Sequence, residues 1–257
     1  MQARVVDTRR GVRWLAEGWR LFRVAPLGWV AAVFGYWLLM SLVSLVPLVG
    51  VAAAAILVPA FSVGFMALAR AAGRQAPLEL GLLFDGFRHQ PRAQLILGVV
   101  YLACLSALLA ASTVADDGAL AQWMLTGRRP ADEVVQSEAF WTALATGAAL
   151  YLPVMLAFWF APPLAAWHAT GPAKALFFSL AASLMNWRAF LGYGAVAALV
   201  TLVLPFLVFS LLLVATGGAY RVPAASLVLP LLIVLLPTLF ASFYASYRDV
   251  FGYDPAP

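Results

Sequence analysis

Residues Ala189–Val214 read AFLGYGAVAALVTLVLPFLVFSLLLV, without one charged side chain. A hydrocarbon core about 30 Å thick is crossed by roughly 20 helical residues rising 1.5 Å each, so the run is long enough to span a bilayer. It lacks the alternation that a barrel strand shows over about 10 residues. The stretch reads as a membrane-spanning helix, and the remaining sequence has to be judged against the same solvent.

Working outward, five more stretches qualify: Leu27–Val46, Val51–Ala72, Ala93–Val114, Phe140–Trp167 and about Val222–Tyr244. The first halts at the turn signal Pro47-Leu48-Val49-Gly50, so the first two runs make a tight antiparallel hairpin. The fourth is overlong and carries Pro153, Pro162 and Pro163. The double proline is its sharpest break, and the helix is expected to end there before Trp167-His168 meets the interface. Thr216-Gly217-Gly218 separates the last two runs. Bulk composition agrees: 64% of the 257 residues are hydrophobic, 11% are charged and the mean hydropathy is +0.93. A soluble domain is about 45–50% apolar and about 25% charged, and that class is excluded. The expected fold is an all-α membrane protein with six transmembrane helices in three hairpins. A cytoplasmic amphipathic arm covers 1–26, the transmembrane domain 27–247, the periplasmic loop 115–139 and a cytoplasmic tail 248–257. With Met1–Pro26 ahead of a full-length span, the first run reads as a retained helix, not a cleaved signal peptide.

Basic residues set the orientation. Arg4, Arg9, Arg10, Arg13, Arg20, Arg23, Arg70, Arg74, Arg88, Arg92, Lys174, Arg188 and Arg248 fall on one side, and only Arg128, Arg129 and Arg221 on the other. Both termini are therefore expected in the cytoplasm of a bacterial inner membrane. Sixteen cations against eleven acids give a net charge of +5. The cations flank apolar segments and form no dense patch, so the expected partner is the phospholipid headgroup layer and not nucleic acid.

A lead-in motif recurs before the odd-numbered spans. Phe22-Arg23-Val24-Ala25-Pro26 precedes the first, Phe87-Arg88-His89-Gln90-Pro91 the third, and Leu184-Met185-Asn186-Trp187-Arg188, a weaker copy, the fifth. Each follows an amphipathic segment: Val12, Leu15, Trp19 and Phe22; Leu80, Leu83, Phe84 and Phe87; Leu176, Phe177, Leu180 and Leu184. The predicted architecture is thus three units of a surface helix plus a hairpin, with two or three helices lying in the cytoplasmic interface. The bland alternative is that inner-membrane proteins in general place Arg and Trp where the chain enters the bilayer.

Phe158-Trp159-Phe160-Ala161-Pro162-Pro163-Leu164 with Trp167-His168, then Ala175-Leu176-Phe177-Phe178-Ser179-Leu180 and Asn186-Trp187, resemble an uncharacterised family of proteobacterial six-helix integral membrane proteins. They are more distantly similar to the membrane domain attached to some glycerophosphodiester phosphodiesterases. The resemblance implies the six-helix inner-membrane fold and an envelope setting. It brings no catalytic residues, and no phosphodiesterase domain accompanies this chain.

Chemistry is sparse. Away from their ends the spans carry no Asp, Glu, Lys or Arg, which speaks against charge-driven transport. Cys104 has no partner for a disulfide or a thiolate cluster, His89 and His168 lie far apart, and no metal or cofactor is expected. Gly64, Gly98, Gly147, Gly192 and Gly194 offer small faces for helix packing or for oligomerisation. Pro59, Pro153, Pro162, Pro163, Pro205, Pro230 and Pro237 either kink packed helices or open an amphiphile pocket near Pro153 and Pro205. Asp85 and His89 form the one polar cluster in which an acid could orient an imidazole base; an Asp85–Arg88 surface pair is the structural alternative. Asp116-Asp117 belongs to an acidic loop that could bind a cation weakly or dock a partner. The lipid-headgroup candidates are Arg20, Arg23, Arg88 and Arg92. The expected role is a non-enzymatic multi-pass inner-membrane protein that binds lipid or supports envelope assembly. The alternatives are a transporter or flippase of an apolar or amphiphilic solute, and an accessory subunit of a larger membrane complex.

Overall fold

The structure is a computed structural model and describes residues 2–47, 49–215 and 224–252. The Thr216-Gly217-Gly218 turn, Arg221, the Val222 start of the sixth span and residues 253–257 lie outside the described residues. All regular elements described are helical: α1 (Thr8–Val24), α2 (Pro26–Ser44), α3 (Gly50–Gly73), a tight turn (Leu80–Phe84), α4 (Asp85–Arg88), α5 (Pro91–Asp116), α6 (Ala119–Thr126), α7 (Asp132–Val135), α8 (Glu138–His168), α9 (Pro172–Met185), α10 (Trp187–Ala198), a π-helical turn (Leu199–Val203), α11 (Leu204–Ala215) and α12 (Ala224–Phe251). Among the described residues, six helical stretches are long and apolar enough to cross a membrane: α2, α3, α5, α8, the α10–α11 run and α12 over Leu231–Phe251. The sixth helix continues past the expected Tyr244 end to Phe251 and carries Arg248 and Asp249 near its end.

Packing falls into two units. The first gathers Met1–Leu38, Ser62–Asp85 and Ala182–Pro257; the second gathers Leu39–Phe61 and Gly86–Ala181.

In the first unit, α1 is pressed onto α12 and α10. A Cβ added to Gly11 would sit 1.8 Å from the Ala189 carbonyl oxygen, and one added to Gly18 would sit 2.3 Å from that of Thr238. Only a missing side chain permits such backbone approach. Between these glycines Trp14 is fully buried, edge-on to Phe190 at 5.5 Å and tilted against Tyr193 at 5.9 Å. Tyr193 donates to Ser242 Oγ at 2.7 Å, and Ser242 in turn donates to the Leu239 carbonyl. Phe65 of α3 stacks on Phe240 of α12 with ring centroids 4.1 Å apart.

In the second unit α5 runs along α8, and α8 does not stop at Pro162-Pro163. It continues to His168, one residue beyond the expected Trp167 limit of the span, and so corrects the expected helix end at the double proline. Two neighbouring side chains bond to the backbone of α8 beside the double proline. The Ser179 hydroxyl of α9 inserts into the α8 hydrogen-bond ladder, accepting from Phe160 N–H and donating to the Leu156 carbonyl, both at 2.9 Å. Gln94 of α5 donates to the Pro162 carbonyl at 2.9 Å. Substituting Ser179, which is fully buried, with alanine removes one hydrogen-bond partner from the Phe160 amide and one from the Leu156 carbonyl. That is expected to cost about 1–3 kcal/mol, read as a lower thermal midpoint of the detergent-solubilised protein; an unchanged midpoint would contradict the bridging role.

Of the three lead-ins, α1 and α9 are full helices, whereas residues 80–88 make a tight turn followed by the single-turn α4. The reason is steric. A Cβ on Gly64 of α3 would lie 2.1 Å from the Leu83 carbonyl, and one on Gly86 would lie 2.2 Å from that of Ala60, so the segment is laid flat against α3 backbone to backbone. The lead-ins rest on other helices: α1 on α12, residues 80–88 on α3, α9 on α8.

Burial is lopsided along the spans. On α2 only Trp29, Ala32 and Val33 are buried, on α10 only Ala189 and Tyr193, all near the lead-in ends. Farther along, Phe34 is 70% exposed and Phe206 68%. Such faces carry no penalty in a bilayer, because lipid tails are as apolar as Leu. Gly98 packs on Ile56 of α3, but Gly147 and Gly194 have no neighbour within 4 Å, and Cys104 is half-buried on α5.

Candidate membrane-surface site

The site is built on α1. Asp7 is in extended conformation and its carboxylate accepts from Arg9 N–H at 2.7 Å, starting the helix; Pro26 stops it and opens α2. Within α1, Gly11, Trp14, Leu15, Gly18, Leu21 and Phe22 are buried. Leu15 and Phe22 of the expected apolar face therefore meet protein, while Val12 and Trp19 stay 44% and 41% exposed. Arg9, Arg13, Arg20 and Arg23 follow at spacings of four, seven and three. Those spacings place them on one stripe of the helix, and all four are exposed. Arg23 holds its guanidinium 5.6 Å from the Trp19 ring centroid, a cation–π stack that keeps the N–H edge free for an anion.

Behind this stripe lies an ion-pair network that composition alone did not bring together. Arg10 donates through Nε to Asp249 Oδ2 at 2.8 Å and reaches Glu17 at 3.1 Å. Arg248 pairs with Glu17 and approaches Asp249 at 3.8 Å. Trp14 Nε1 donates to the same Asp249 oxygen at 2.9 Å. The hydrogen bond to Asp249 raises Arg10 further above its ordinary value. The sequence does hold a signal: Arg10 and Glu17 are seven apart on the Trp14 face, and Glu17 is the one acid inside α1.

A second device missed from sequence is Asn186, the chain's only asparagine. It is 2% exposed. Its oxygen accepts from Val6 N–H at 2.8 Å, and its nitrogen donates to the Arg4 carbonyl at 3.0 Å and the Ala182 carbonyl at 2.9 Å. Arg4 N–H donates to the Val250 carbonyl at 2.7 Å. The extended residues ahead of α1 are therefore clamped between α12 and the α9–α10 junction.

Arg20 and Arg23 belong to the first unit, Arg88 and Arg92 to the second, and all four are exposed. Asp85 is buried at 6% exposure while Arg88 and His89 lie on the surface. No ion pair joins Arg88 to Asp85 among the described residues, so the expected surface pair is not formed. In the acidic loop, Asp116 accepts from Gly118 and Leu120 N–H at 3.0 and 2.7 Å and caps α6. Leu120 of α6 packs with Phe140 and Ala143 of α8, and Arg129 pairs with Asp132 at 2.8 Å on the surface.

A probable inner membrane protein of Burkholderia thailandensis is 38% identical to this chain over 260 residues, covering 98% of the chain and 94% of the relative. The chain belongs to that family. No family model and no solved structure matches it, and the distant likeness to the membrane domain of glycerophosphodiester phosphodiesterases finds no support. The protein is thus a member of an inner-membrane family with several apolar helices.

Proposed function

We propose that the protein is a non-enzymatic lipid-binding component of the bacterial inner membrane, with both termini in the cytoplasm and α1 reading anionic headgroups. The observation that carries this reading is the two-sidedness of α1. Its apolar face is taken up by α10 and α12, while the opposite stripe presents Arg9, Arg13, Arg20 and Arg23 with an exposed indole. Guanidinium groups pair with phosphate in fork geometry, and an interfacial Trp fixes depth. Arg88 at the end of α4 and Arg92 at the start of α5 add the same chemistry in the second unit. The thirteen-to-three distribution of cations supports the orientation, and a lipid-holding role in envelope assembly is the setting in which such a surface is useful.

Joint substitution of Arg20, Arg23, Arg88 and Arg92 with Gln tests this. Each cation near an anionic surface contributes about 1 kcal/mol, so co-purified phosphatidylglycerol and cardiolipin are expected to fall at least tenfold relative to phosphatidylethanolamine. Unchanged lipid ratios would sink the headgroup reading. The second reading is a transporter or flippase of an amphiphilic solute, favoured by the π-helical turn at Leu199–Val203 just before Pro205, where the helix ladder is broken. It calls for lipid scrambling by the purified protein in vesicles, which the lipid-binding reading does not.

A further inference from the structure

The weakest of the three lead-ins holds a cavity that the arginine stripe does not use. About 300 Å³ in volume, it lies between the clamped N-terminal segment and the α9–α10 junction, lined among others by Asp7, Thr8, Met185, Asn186, Trp187 and Arg188. That is the lower end of the range for small-ligand pockets. Its frame is fixed, because the buried Asn186 amide bonds both Val6 and Arg4.

Two opposite charges line this space without neutralising each other. Arg188 is exposed and stacks its guanidinium 5.3 Å from the centroid of Trp187, which is itself 52% exposed. Asp7 spends Oδ1 on the Arg9 amide, and its Oδ2 has no partner among the described residues. No ion pair joins the two among those residues. A purely anionic ligand would meet the Asp7 carboxylate, and a purely cationic one the Arg188 guanidinium; a ligand carrying both charges satisfies each.

We propose that this cavity binds a phosphate–ammonium zwitterion, the chemistry of a phosphoethanolamine headgroup, with Arg188 on the phosphate and Asp7 on the ammonium. The indole and the Met185 side chain cover the carbon stem. The proposal deepens the lipid reading and rests on it for the placement of the cavity at the membrane surface. A lipid headgroup and free phosphoethanolamine share this chemistry.

Purified full-length protein in maltoside detergent is titrated calorimetrically with dihexanoyl-phosphatidylethanolamine, dihexanoyl-phosphatidylglycerol and free phosphoethanolamine. The ethanolamine lipid is expected to bind tighter than the glycerol lipid. Exposed charge pairs are individually modest, so Asp7→Asn is expected to weaken the ethanolamine lipid about three- to fivefold and, by removing a like charge, to leave the glycerol lipid bound as well or more tightly. Asn caps a helix as well as Asp does, so α1 keeps its start in that variant. Arg188→Gln is expected to weaken both lipids. Binding of free phosphoethanolamine at similar strength makes the soluble compound the occupant; binding of the lipid alone makes it the headgroup. Equal binding of the two lipids with no response to Asp7→Asn overturns the proposal, as does absence of binding. If that happens while anionic-lipid retention still depends on Arg20, Arg23, Arg88 and Arg92, only the zwitterion site falls; the reverse result removes only the arginine stripe.

Discussion

Replacing Gly11 with alanine is expected to unseat α1 and to lower the thermal midpoint of the purified protein by roughly 5–10 °C. In an open helix this exchange would gain about 1 kcal/mol of helix propensity. Here the new methyl carbon would fall 1.8 Å from the Ala189 carbonyl oxygen, with the Ala189 carbonyl carbon at 2.6 Å. Those are backbone atoms, so no rotamer change makes room, and α1 has to lift away from α10. Overpacking of this kind costs about 3 kcal/mol or more, and about 1 kcal/mol moves the midpoint of a chain this size by roughly 2–4 °C. Gly147→Ala and Gly194→Ala serve as internal controls, since neither glycine has a neighbour within 4 Å; they are expected to leave the midpoint unchanged or raise it slightly. A Gly11→Ala protein as stable as the parent would contradict the docked position of α1.

The second large effect is expected at Asp249. This side chain, 10% exposed, takes hydrogen bonds from Arg10 and from the Trp14 indole on one oxygen. Asp249→Asn preserves shape but removes the charge that balances Arg10. Removing one member of a well-buried pair costs about 3–5 kcal/mol; with Arg10 and Arg248 about one-third exposed, water recovers part of that and about 2 kcal/mol is expected. The measurement is a double-mutant cycle with Arg10→Gln, read by thermal unfolding in detergent. A coupling energy of about 1 kcal/mol or more between the two positions is expected. Additive losses would show that the network is an incidental surface arrangement.

The spans were legible because length and continuity of apolar sequence are all that a bilayer asks of a helix. The end of α8 was not, because the side chains that bond its backbone beside the double proline come from afar: Ser179 lies nineteen residues beyond Phe160, and Gln94 sixty-eight before Pro162. No local pattern encodes that partnership. The amphipathicity of α1 was plain from the spacing of Leu15 and Phe22, yet not what it packs against: the same stripe suits lipid or a neighbouring helix. Gly11 and Gly18, seven residues apart on that stripe, carried the answer, since an interfacial helix has no use for backbone-to-backbone contact. Arg20, Arg23, Arg88 and Arg92 are exposed, as charged side chains flanking apolar runs commonly are. Asp85 and Arg88 did not pair, because Gly86 draws the turn between them against Ala60 and buries the acid while the base stays outside. Asn186 was invisible as a clamp because its partners, Arg4 and Val6, are about 180 residues away.

Native mass spectrometry of the protein extracted in a mild detergent, beside its Arg20, Arg23, Arg88 and Arg92 to Gln variant, tests the central claim most directly. The parent chain is expected to carry defined anionic phospholipids and the variant to lose them. A parent chain that emerges free of lipid in a stoichiometric complex with another membrane protein would contradict it, and would make an accessory subunit the reading to pursue.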